Sequence, residues 1–115
     1  MTKLDELASE LDTRSKELAQ VERDLEPVEA RYEAFIGEWE YSMWEEASVS
    51  DTKWPPERLR LRMAHRAMPS ELLGAFSTGQ AKRKRLERRI GSVKVMVDAQ
   101  RSLLSALKVE MEASS

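Results

Sequence analysis

Cysteine is absent from the 115-residue chain, which excludes disulfides and thiolate metal sites and permits a reducing compartment. Glycine and proline are scarce, at four each, so the chain has few turns and no glycine-rich phosphate loop: Gly37, Gly74, Gly79 and Gly91 are isolated. Apolar residues never run for the roughly 18 that a membrane helix requires, and the start MTKLDELASEL is charged and amphipathic, unlike a secretory leader. A cytoplasmic protein is the expectation. Histidine is nearly absent too: His65 is the single one. It has no carboxylate three or four residues away to orient it and no serine motif to serve, so no catalytic residue is assigned.

Charge and helix-forming residues are abundant. Asp, Glu, Lys and Arg make up 35% of the chain, and Ala, Leu, Glu and Arg recur throughout, the composition of long helices and coiled coils. The formal charge of −2 hides an asymmetry. Residues 1–51 carry 5 basic and 15 acidic side chains, and residues 52–115 carry 14 basic and 6 acidic ones. Opposite net charges, −10 and +8, are what two halves paired side by side require.

Both halves carry a heptad stripe. In the first, Leu4, Leu7, Leu11, Arg14, Leu18, Val21, Leu25, Val28, Tyr32, Phe35 and Trp39 alternate in steps of three and four. A 3.5-residue period keeps such a stripe facing one partner along its whole length. Arg14 is the exception, a long stem that can lie on the seam with its guanidinium in water. The second stripe runs Leu86, Ile90, Val93, Val97, Gln100, Leu104, Leu107 and Met111, and extends back through Arg83, Gly79, Phe76 and Leu72. Pro27 removes a backbone hydrogen bond and predicts a kink, or a break, near residues 23–27. Ser77, Thr78 and Gly79 predict a bend or a fresh start in the second helix.

Between the stripes, Ser48 to Lys53 is polar, and Trp54-Pro55-Pro56-Glu57 suits the first turn of a helix. Met68-Pro69-Ser70 interrupts again, with Ser70 placed to cap the next helix. The expected layout is one all-α domain: a long helix over about residues 2–46, a short one over 56–66 and a long one over 70–112, folded as an antiparallel coiled-coil hairpin. A reversal near residue 57 would set Leu4 near Met111, Leu25 near Ile90 and Trp39 near Phe76. It would also lay Glu22, Asp24, Glu26, Glu29 and Glu33 beside Lys82, Arg83, Lys84, Arg85, Arg88 and Arg89, so that the basic run is paired within the chain. A two-helix hairpin leaves part of its seam open; pairing into a four-helix homodimer through Leu11, Leu18, Leu25, Tyr32, Trp39, Ile90, Val97 and Leu104 is therefore expected.

Chemistry is sparse. Glu26 and Glu29 have the ExxE spacing of helical nucleotide pyrophosphatases without the matching ExxD, and the di-iron ExxH pattern is missing. No metal or cofactor is implied. Two binding surfaces stand out. Trp44 and Trp54, with Arg58, Arg62 and Arg66, lie near the bend and combine the residue types that dominate protein interfaces. Arg58, Arg60, Arg62 and Arg66, with Lys82, Arg83, Lys84, Arg85, Arg88 and Arg89, form basic clusters that suit nucleic-acid phosphates.

With an aromatic at Tyr32, a break at Trp54-Pro55, and a closing run from Leu86-Glu87-Arg88-Arg89-Ile90 through Leu103-Leu104-Ser105-Ala106-Leu107-Lys108, the layout resembles the small coiled-coil accessory proteins of actinobacterial bacteriophages. That resemblance implies a phage-encoded binder of a host factor, or a helper of phage recombination and replication, acting in the host cytoplasm. The reading from the residues is a non-enzymatic protein–protein interaction protein; the alternative is a nucleic-acid-binding accessory protein.

Overall fold

The computed structural model describes residues 2–114. It is an all-α helical hairpin of three helices: α1 (Lys3–Ser50), α2 (Glu57–Ala67) and α3 (Ser70–Ser114). Its internal contacts form two compact units, one joining the chain up to Glu22 with the chain from Lys82, the other formed by Arg23–Ala81.

Thr2 and Asp5 start α1 as a reciprocal cap. The Asp5 amide donates to Thr2 Oγ1 at 3.1 Å and the Thr2 amide to Asp5 Oδ2 at 3.3 Å, satisfying two of the free donors of a helix start. The helix then runs unbroken through Pro27, so of the two readings of that proline the continuous helix holds and the break does not occur. Proline costs one hydrogen bond, and the stripe stays covered on both sides of it, with Leu25 buried before it and Val28 and Tyr32 half-buried after it.

At its other end α1 closes in a left-handed turn. Asp51 has φ 55°, the only positive φ outside glycine among the described residues, and the Thr52 amide reaches back to Ala47 O at 3.0 Å. That is the six-to-one bond of a Schellman closure, with Asp in the place usually held by Gly. The Ser50 hydroxyl donates to Glu46 O at 2.7 Å, covering another terminal carbonyl.

The chain therefore reverses at Asp51–Thr52, several residues before the expected position, and α2 already belongs to the returning arm. In the unit formed by Arg23–Ala81, Leu25 faces Gly79, and Tyr32 stacks on Phe76 with centroids 3.7 Å apart. Matching the seams had set Leu25 near Ile90, eleven residues and three turns further along α3, and Trp39 near Phe76. α3 continues without a break through Ser77, Thr78 and Gly79. Pro69, rather than Ser70, supplies the first acceptor of α3, taking the Leu73 amide at 3.1 Å.

The same shift holds in the other unit. Leu7 packs with Val93 and Val97, flanked by Leu4, Leu11 and Met96, whereas a reversal at residue 57 would have put Leu4 against Met111. Because α1 begins level with Met96 and Val97, residues 101–114 of α3 have no α1 opposite them, and every one is exposed. No helix among the described residues is long and apolar enough to cross a membrane.

Candidate interaction surfaces

Two groups of side chains are candidates, one in each unit. The first lies where α1 ends and α2 begins. Trp54 is half-buried and held in place: the Arg60 guanidinium sits 4.9 Å from the centre of its ring and donates from Nη1 to Pro55 O at 2.7 Å. Glu40 stands 3.8 Å from Arg60 Nε, an ion pair beyond hydrogen-bond range. Arg60 is thereby separated from the cluster in which the sequence placed it. Arg58, Arg62 and Arg66, spaced four apart, form an exposed stripe on α2 and make no ion pair among the described residues.

Trp54, Pro55 and Met63 line a groove of about 380 Å³ with Met43, Ala47 and Lys53. On the adjoining end of α1, Tyr41, Trp44 and Val49 are 62%, 55% and 90% exposed. Folding leaves much of their apolar surface in water.

Beneath this surface α2 is anchored by a contact that sequence periodicity did not disclose. Tyr32 Oη and His65 Nε2 lie 2.6 Å apart in a hydrogen bond, and Tyr32 also stacks on Phe76. One phenol thus ties α1 to both returning helices, and Ala64 and Met68, flanking the end of α2, are buried. Burial raises the Tyr32 phenol above its ordinary range. His65 is therefore a packing residue whose partner lies 33 positions away in the chain, beyond the reach of any local motif.

The second group is the basic stretch of α3. Arg89 Nε donates to Glu10 Oε1 at 2.6 Å, and this hydrogen bond, more than any other influence, holds the Glu10 carboxyl below its usual range. Arg83 meets Glu87 one turn on at 4.0 Å. Glu10 and Glu87 both stand outside the set of five acidic residues, Glu22 to Glu33, expected beside this run. The stretch of α1 that meets Arg85 and Arg89 itself carries Arg14, and Arg14 and the nearby Lys16 are already paired, to Glu17 at 3.1 Å and to Asp12 at 2.9 Å.

Lys82, Lys84, Arg85 and Arg88 are exposed and make no ion pair among the described residues. Arg14, Lys82, Arg85 and Arg89 converge on a cavity of about 360 Å³ with Leu86 at its base. Arg14, which the heptad reading treated as a seam exception, is the one member that only the fold could add.

The seam residues expected to join two chains are placed largely inside one. Leu25, Ile90 and Val97 are buried, and Leu11, Leu18, Tyr32 and Trp39 are half-buried. Leu104 alone of that set is open, at 51%, with Leu107 and Met111 beyond it at 46% and 73%.

No family model, curated protein or solved structure matches the chain. Among the described residues no three acidic or histidine side chains gather as a metal-binding group.

Proposed function

We propose that this chain is a non-enzymatic helical interaction protein that presents the junction of α1 and α2 to another protein. The observation that supports this is the exposure of Tyr41, Trp44 and Val49 on the last turns of α1, the same turns whose Met43 and Ala47 line, with Trp54, an apolar groove that Arg60 braces. Aromatic anchors on a rigid support, rimmed by arginines, have the character of a binding hot spot: most of the affinity comes from a few large side chains whose ordering cost is already met. Trp44 is the anchor, Trp54 the fixed wall, and Arg58, Arg62 and Arg66 the polar rim. The likeness to phage accessory proteins makes a host factor, met in the host cytoplasm, the partner to seek. A homodimer belongs to the same proposal, using Leu104, Leu107 and Met111, the part of the α3 stripe that α1 leaves open.

The test is retention from a host extract on the immobilised chain, followed by a binding isotherm for whatever protein is held. Tyr41→Ala with Trp44→Ala should weaken that binding at least tenfold while helicity and melting midpoint stay within error of the wild type, since both side chains are exposed. Undiminished binding by the double variant would sink the proposal.

A further inference from the structure

We propose that the basic face of α3, from Lys82 to Arg89 with Arg14 beside it, is a second binding site, and that its ligand is the phosphate backbone of a nucleic-acid duplex, read without regard to sequence. The first ground is the charge balance of the folded chain. Three carboxylates of this unit are already engaged: Glu10 by Arg89, Glu17 by Arg14, Glu87 by Arg83. Lys82, Lys84, Arg85 and Arg88 remain, with no ion pair among the described residues. Like charges three and four apart on one helix repel, so this arrangement works against folding and calls for a polyanion from outside.

The second ground is geometry. Lys82, Arg85 and Arg89 follow the three-then-four spacing of one helix face and converge with Arg14 on the cavity above Leu86. Lys84 and Arg88, four apart, stand on the other flank. The cations are therefore strung along roughly 10 Å of helix, at 1.5 Å per residue, which suits a ligand that repeats its phosphates rather than a single anion.

The third ground selects among polyanions. A helix that lies on an anionic membrane needs a free apolar face beneath its charges. Here that face is occupied, because Leu86, Ile90 and Val93 are buried in the hairpin. Single strands are held by aromatic side chains on which bases stack, and no aromatic residue lies anywhere from Ala81 to the end of the chain. A duplex backbone asks only for positive charge at the right pitch.

The experiment is fluorescence anisotropy of the full chain with a labelled 20-base-pair duplex of arbitrary sequence, between about 20 and 200 mM KCl. Neutralisation of four phosphates predicts a slope of log K against log salt of about −3.6, equal for a duplex of unrelated sequence. K82A with R85A should reduce that slope by about 2, as should K84A with R88A, at roughly one unit per cation. K82R with R85K should preserve it, which separates loss of charge from damage to the fold. W44A should leave it unchanged, so failure of the protein-binding surface and failure of this site are distinguishable. Absence of binding at the lowest salt, a slope near zero, or binding to vesicles one-third phosphatidylserine without binding to the duplex would each overturn the assignment.

Discussion

At the scale of single residues, the tie to test first is Tyr32, because it holds three helices with two different forces. Its hydroxyl meets His65 Nε2 at 2.6 Å, and its ring lies parallel to Phe76 within 2°. Tyr32→Phe removes the hydrogen bond and keeps the stack. The expected loss is about 1 kcal/mol, the net worth of one such bond, measurable by urea unfolding; no loss would mean that water replaces the contact at no cost. Glu10 and Arg89 illustrate a different balance. Glu10 has its folded-state pKa lowered by Arg89, so it favours the folded state above its unfolded value. That contribution fades as pH falls through the folded value, because the unfolded chain binds the proton more readily.

At the scale of elements, the long helices tolerate residues that propensity disfavours, and the reasons differ from site to site. A Cβ on Gly37, Gly74 or Gly91 would have no neighbour within 4 Å, whereas one on Gly79 would overlap Leu25 Cδ1. Alanine at each of the three open positions should therefore stabilise the protein by about 0.5–1 kcal/mol through helix propensity. Gly79→Ala should not, since Leu25 is buried and must be pushed from its place. Thermal melts of the four single variants check this, and an equal gain at Gly79 would refute the contact. Gly79 thus interrupts the apolar stripe in composition but not in packing: a small residue there is what lets Leu25 fill the space.

At the scale of the whole molecule, the position of the reversal governs the rest. Ending α1 at the left-handed Asp51 places α2 on the returning arm and sets α3 about three turns away from the register that the matched seams suggest. Residues 101–114 are thereby left without α1 beside them. The homodimer proposed for Leu104, Leu107 and Met111 predicts a concentration-dependent mass in light scattering that L104E with L107E abolishes without lowering the melting midpoint. An unaltered dimer in that variant would place the contact elsewhere. In that register Glu10 answers Arg89, while Lys82, Lys84, Arg85 and Arg88 make no ion pair among the described residues, so the register also decides which surfaces remain free to bind.

Much of the fold was legible in the residues. A 3.5-residue period over both halves, few glycines and prolines, and polar breaks near Asp51 and Pro69 are local properties, and they suffice for an all-α hairpin with a short middle helix. Trp44 could be singled out because an apolar residue near a bend is conspicuous by position alone. Register could not be read that way: a heptad stripe looks much the same after a slide of whole turns, and total charge constrains the pairing of halves but not of individual residues. Tertiary structure alone decided that Leu25 meets Gly79, that His65 meets Tyr32, that Arg14 joins Lys82 and Arg85, and that the end of α3 stands uncovered. Each of these depends on where one left-handed residue turns the chain, and periodicity carries no information about that choice.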